Sequence, residues 1–216
     1  MASLDLGFGG DGGGGVYHSV YDSYYWYTHF SDGEFTHTAA LTRVIGTALL
    51  RLADADVLPF EFRGTAVALR EYVDDIAKMQ GVDKKLDLAP LRAGLEKLAA
   101  AADAYEKALA RLDRLNPEDV TRMRAQLGQV NETLYRTERA FRHEAGLPRR
   151  EWFKHLAYAP GFYTGYGVKT LPGIREGIEQ EQWDEARSFV PIVADAVRKL
   201  TSDVDRATAM LKRIIH

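Results

Sequence analysis

The sequence predicts an all-α fold: a helical bundle with long antiparallel helices, preceded by a short irregular segment. Two observations carry this. From residue 33 onward, apolar residues recur at alternating spacings of three and four, the period of one helix face. Before that point the chain is rich in glycine and aromatic residues and shows no such period. The chain has 216 residues, of which 46% are apolar, enough to bury a real core in one domain with a remnant of another.

The elements follow in chain order. Residues 1–32 hold the run from Gly7 to Gly15 and an aromatic cluster from Tyr21 to Phe30, and they read as loop with a short strand or helical turn. Ser31-Asp32-Gly33-Glu34 supplies a helix start. The helix it opens runs to about Ala53, with Leu41, Val44, Ile45, Ala48, Leu49 and Leu52 on its inward face. Leu58-Pro59-Phe60 interrupts, and a second helix covers about Gly64–Met79, with Leu69, Val73 and Ile76 inward.

Two long helices come next. Leu88, Leu91, Leu95, Leu98, Ala102, Tyr105, Leu109 and Leu112 form the stripe of the first. Val120, Met123, Leu127, Val130 and Leu134 form that of the second, and Phe141 rejoins it one heptad later. Such narrow seams belong to coiled-coil-like packing. Asn116-Pro117 between them is a cap followed by a first-turn proline. So short a connection predicts that the two helices are antiparallel neighbours. Gly146-Leu147-Pro148 ends the pair. Residues 152–172 are irregular, aromatic and glycine-bearing. A helix opens near Pro172, and a last one covers about Gln182–Ile215, which Pro191 is expected to kink or divide.

Composition excludes several functions. A formal charge of −3 is not the basic footprint of a nucleic-acid binder. There is no cysteine, hence no disulfide. No apolar run is long enough to span a membrane, and the first residues lack the charged and apolar regions of a signal peptide.

The motifs are few. Zinc-protease, thiol-pair, serine-elbow and phosphate-loop patterns are all missing, and Gly7-Phe8-Gly9-Gly10 lacks the strand and helix of a dinucleotide fingerprint. Six histidines are present: His18, His29, His37, His143, His155 and His216. None pairs locally at strong metal-ligand spacing. His29 and His37 read as surface residues. His18 stands apart because it follows the glycine run, where backbone can approach a ligand closely. Asp22, four residues on, adds little. Almost no chain precedes His18 to complete a site, so the segment is expected to belong to a larger enzyme. A second glycine-aromatic loop, Tyr158 to Gly173, is the other candidate, since loops on a rigid scaffold commonly carry sites.

Four elements, in order and spacing, resemble the C-terminal part of the glutamate carboxypeptidase II family: Tyr17-His18-Ser19-Val20-Tyr21-Asp22, Leu58-Pro59-Phe60, Tyr158-Ala159-Pro160 and Leu171-Pro172-Gly173-Ile174. The resemblance covers essentially the whole chain. It implies that residues 1–32 are the C-terminal remnant of an α/β zinc-peptidase domain. Residues 33–216 are then a transferrin-receptor-like helical dimerisation domain. In the longer protein His18 would be one ligand of a two-zinc site and Tyr17 would stabilise the oxyanion. Gly9, Gly10 and Tyr166 would contact substrate. The family's lysine before that tyrosine is Gly165 here, which puts glutamate specificity in doubt. The other zinc ligands and the catalytic glutamate of the family have no counterpart in this sequence. One histidine cannot supply a zinc site, so no zinc and no turnover are expected of this chain alone. The implied partners are a second copy and the peptidase domain, in a secreted, periplasmic or membrane-anchored setting. A non-catalytic receptor-like module and an autonomous zinc hydrolase are the competing readings.

Overall fold

The computed structural model describes residues 5–9 and 16–215, and the chain divides into two compact units, Ala2–Ala55 and Asp56–His216. The expected division at residue 32 falls inside the first unit. Both units are helical, and the one sheet among the described residues has two short strands.

The first unit holds α1 (Tyr24–Phe30) and α2 (Thr36–Ala53). Ser23 caps α1 by accepting from the Trp26 N–H at 3.3 Å. The start of α2 depends on Asp32, which is buried. Its carboxylate accepts from the His37 and Thr38 N–H groups at 3.2 and 2.8 Å and from the Thr38 and Tyr27 hydroxyls. Burial by itself would raise the Asp32 pKa. The donations from Thr38 and His37 outweigh it and hold the pKa at about 2. A depressed carboxylate stabilises above its unfolded pKa and loses that contribution as pH falls through its folded one. The first turn of α2 is therefore expected to lose amide-exchange protection between about pH 4 and pH 2. Unchanged protection of Thr38 and Ala39 across that window contradicts this.

The apolar stripe of α2 departs from expectation. None of its residues is buried, and Val44, Ile45, Leu49, Leu50 and Leu52 are exposed. The stripe was expected to face inward, but α1 is a seven-residue helix with nothing buried of its own to set against it.

The second unit has one continuous core. It contains α3 (Phe62–Ala77), α4 (Val82–Lys85), α5 (Ala89–Leu112), α6 (Pro117–Arg122), α7 (Arg124–Leu134), a 3-10 turn (Thr137–Phe141), β1 (Tyr158–Pro160), β2 (Val168–Thr170), α8 (Pro172–Glu179) and α9 (Trp183–Ile215). Most of the predicted seams are buried, Leu91, Leu95, Leu98 and Tyr105 of α5 and Leu127, Val130 and Leu134 of α7, while Leu109, Val120 and Met123 are half-buried. The expected single second helix is instead α6, a junction at Met123, and α7.

The predicted antiparallel pairing of the two long helices is corrected. The antiparallel neighbour of α5 is α3, with Arg63 against Asp103 and Arg92 against Asp74 at opposite ends. The neighbour of α7 is α9: Thr133 meets Met210, and Ala140 and His143 lie beside Ile192 and Asp195. Helix α5 packs along α9 in the same direction. Arg187 donates to the Lys85 carbonyl near one end, Gly94 faces Val197, and Lys107 and Arg111 share a groove with Lys212 near the other. The reason lies in α9, whose buried positions include Val193, Ala196, Val197, Leu200, Val204 and Ala207. That stripe is wide enough to receive both seams. Helix α9 is continuous through Pro191, so the proline does not divide it.

Two of the motif segments of the second unit are structural joints. Asn131 of α7 grips the chain around Leu58, accepting from the Leu58 N–H at 2.8 Å and donating to the Asp56 carbonyl at 3.0 Å. In Leu171-Pro172-Gly173-Ile174, the glycine opens α8 against α9. A Cβ at Gly173 would lie 2.1 Å from Phe189 Cδ1, so no larger residue fits.

Candidate functional site

The site is built around the hairpin of the second unit. Strands β1 and β2 pair antiparallel, Tyr158 opposite Thr170 and Pro160 opposite Val168. Between them residues 161–167, Gly-Phe-Tyr-Thr-Gly-Tyr-Gly, form a tight loop. The Gly161 N–H donates to the Gly167 carbonyl at 2.8 Å, the Gly167 N–H to the Thr164 carbonyl at 3.0 Å, and the Thr164 hydroxyl to the Gly167 carbonyl at 2.8 Å. Gly165 adopts φ +58°, the left-handed region that glycine enters freely. The tip presents Tyr163 and Tyr166 to solvent, and Tyr166 is fully exposed.

A buried ion pair holds this loop to the bundle. Arg150 pairs with Glu176 of α8, and each side chain is only 7% exposed. The Arg150 guanidinium also donates to the Pro160 carbonyl at 2.6 Å, and the other Glu176 oxygen accepts from the Phe162 N–H at 2.7 Å. Both partners thus bond the loop backbone near its first strand. The guanidinium stacks near Phe153 and Phe162, 5.3 and 5.2 Å from the ring centroids. The pair and its backbone bonds offset the penalty of burying the two charges, with Arg150 Nε left without a hydrogen-bond partner among the described residues.

Sequence reasoning missed this pair, and its rationale shows only in the packing. Gly173 and Gly177, four apart on α8, each approach α9 closely, at Phe189 and Ala186. Close packing on that side leaves Ile174, Glu176 and Ile178 covered as well. A carboxylate on so covered a helix requires a buried partner.

The remaining predicted residues lie in the first unit. Tyr17 and His18 are both exposed, with ring centroids 3.9 Å apart, and His18 holds φ +63°, unusual for a non-glycine residue. Gly9 is exposed with open space around it, and Gly10 lies outside the described residues. Tyr17 and His18 are thus brought together, while Tyr166 belongs to the other unit.

Among the described residues no group of three or more histidines, cysteines or carboxylates could hold a metal ion. His18 supplies one donor where a zinc site needs three or four, so the described residues do not by themselves make a zinc site. Three other histidines have structural settings. His29 stacks on Tyr25 at 3.9 Å, and His143 meets Phe189 edge-on. His155 lies 4.3 Å from the Tyr158 ring, and burial pushes its imidazole below the usual histidine range. His216 lies outside the described residues. No helix among the described residues is long and apolar enough to cross a membrane.

Comparison with known proteins agrees with this architecture. The profile of the transferrin receptor-like dimerisation domain matches residues 86–205, more than half of the chain. The chain is 29% identical over 212 residues to the probable glutamate carboxypeptidase LAMP1 of Arabidopsis thaliana, covering 98% of this chain and 29% of that protein. It is 32% identical over 201 residues to a probable glutamate carboxypeptidase of Arthroderma benhamiae, covering 91% and 27%. A more distant relative, 25% identical over 190 residues, is an inactive zinc metalloprotease of Schizosaccharomyces pombe, with 86% and 24% covered. The chain spans under a third of the length of these relatives.

Proposed function

Because the chain belongs to the transferrin receptor-like dimerisation domain family, we propose that it is the dimerising, substrate-pocket-completing part of a glutamate carboxypeptidase-like zinc metallopeptidase and has no turnover of its own. The observation that carries this reading is the hairpin loop. Two exposed tyrosines stand on a loop whose backbone is fixed by a buried ion pair. Holding exposed aromatic groups in a set position is what substrate recognition requires.

Residues 1–32 are then the C-terminal remnant of the peptidase domain, and residues 33–216 form the dimerisation domain. The uncovered apolar face of α2 supports this, since contiguous exposed apolar surface marks a contact surface. Within the longer protein His18 is one zinc ligand and Tyr17 the oxyanion donor. Gly9, Gly10 and Tyr166 contact substrate, with Tyr166 at its C-terminal residue. The left-handed backbone of His18 fits such a role, because backbone strain concentrates at functional positions. The remaining zinc ligands would come from outside this sequence.

The test is a pair of assays. The isolated chain, with or without added zinc, is expected to hydrolyse no peptide above background. Chelator-sensitive turnover by the chain alone overturns the assignment. In the longer protein His18→Ala is expected to abolish hydrolysis. In the isolated chain it should leave the melting midpoint within about two degrees, because an exposed surface substitution is worth at most roughly 0.5 kcal/mol. The relative named as inactive gives a second reading, an interaction module without chemistry. A zinc-loaded longer protein that dimerises but hydrolyses nothing would decide for that one.

A further inference from the structure

His155 lies where the chain enters β1. It bridges to Arg142, and the Leu156 N–H beside it donates to the Phe141 carbonyl at 2.9 Å. Its ring packs against Phe141 and Tyr158, with centroids 5.9 and 4.3 Å away. Both ring nitrogens are shut off from solvent, and neither has a hydrogen-bond partner among the described residues. Glu138 of the 3-10 turn places Oε1 3.8 Å from Nε2. The same oxygen accepts from the Tyr158 hydroxyl at 3.2 Å. The other titratable groups nearby face elsewhere. Tyr72 of α3 acts on Tyr158. Arg142 and Lys154 both turn to Glu144, at 3.1 Å each.

This setting accepts a neutral imidazole and rejects a charged one. An imidazolium carries two N–H donors. Glu138 is placed to take one of them with a small movement. The other has no acceptor, and a buried unpaired donor is unfavourable. Burial accordingly weakens the ring's hold on a proton, and the Glu138 carboxylate restores only part of it. A histidine whose folded pKa is depressed contributes stability above its unfolded pKa of about 6.5 and loses it as pH falls below that value. Opening the segment around His155 hydrates the ring and lets it charge freely. We propose that His155 is an acid-sensitive latch, whose protonation opens the root of the hairpin while the helical core of the unit stays closed. The latch does not depend on the peptidase reading above.

The test is amide exchange of the whole chain at about pH 7.5 and about pH 5, on either side of the ordinary histidine range, with each rate taken relative to that of an unstructured amide. Leu156, bonded to Phe141, and Leu171, bonded to the Ala157 carbonyl at 2.8 Å, report on the root, and Leu98 of α5 reports on the core. In wild type, acidification is expected to lower protection at Leu156 and Leu171 by about threefold or more, with Leu98 unchanged. The NMR signal of the His155 ring should titrate over the same pH range. His155→Phe and His155→Gln, neither of which can charge, should keep protection at the root within about twofold between the two pH values. Unchanged protection in wild type, an equal loss in either variant, a parallel loss at Leu98, or a ring titration outside the range of the loss overturns the proposal. If neither variant folds, the coincidence of ring titration and root exchange in wild type decides alone.

Discussion

Glu176→Ala is expected to cost the second unit roughly 3–5 kcal/mol, because it leaves the Arg150 guanidinium buried without its counter-charge. Arg150 and Glu176 are each only 7% exposed, so solvent screens the pair little. The same change strips the Phe162 N–H of its acceptor and frees the start of the loop. At roughly 2–4 °C per kcal/mol for a chain of this size, the midpoint should fall by about 10 °C. Glu176→Gln keeps the size and one acceptor and should cost less. Thermal unfolding of both variants is the check. A midpoint for Glu176→Ala within about two degrees of wild type would mean that the pair is not closed in solution.

Leu95→Asp is the second large effect. Leu95 is 1% exposed in the α5 seam, within the single core of its unit. A carboxylate there has no partner, and an unpaired buried charge costs several kcal/mol, a large share of a stability of about 5–15 kcal/mol. The variant is expected to be unfolded or molten at room temperature by near-ultraviolet circular dichroism. Leu127→Asp, in the α7 seam and also 1% exposed, should behave alike. Leu49→Asp on α2 serves as the contrast. It places a charge on an exposed position and should leave the midpoint nearly unchanged. If Leu95→Asp melted like wild type, the seam would not be the core.

The contrast also shows what was legible in the sequence. Apolar periodicity identifies a helix face, and for α3, α5, α7 and α9 that face is buried. Periodicity does not say what covers the face. The stripe of α2 has the same spacing and is exposed. Nor does it say which stripes meet. A short link between α5 and the next helix suggested direct pairing, whereas α9, far along the chain, takes both seams. Long-range partnering of this kind leaves no local mark.

At the candidate site, the glycine and tyrosine content of the hairpin loop was visible, since glycines punctuate turns. The ion pair that fixes it was not. Arg150 and Glu176 are 26 residues apart, and each in isolation looks like a surface charge. Three of the four segments that carry the family resemblance proved to be joints of the second unit's scaffold. Asn131 grips Leu58, Arg150 bonds the Pro160 carbonyl, and Gly173 admits Phe189.

As the self-associating part of a larger assembly, this chain is expected to pair with a second copy of itself. The most direct test is the mass of the isolated chain in solution. Light scattering or sedimentation equilibrium at tens of micromolar is expected to give twice the chain mass, as an isologous pair would. A monomer mass throughout that range would contradict it.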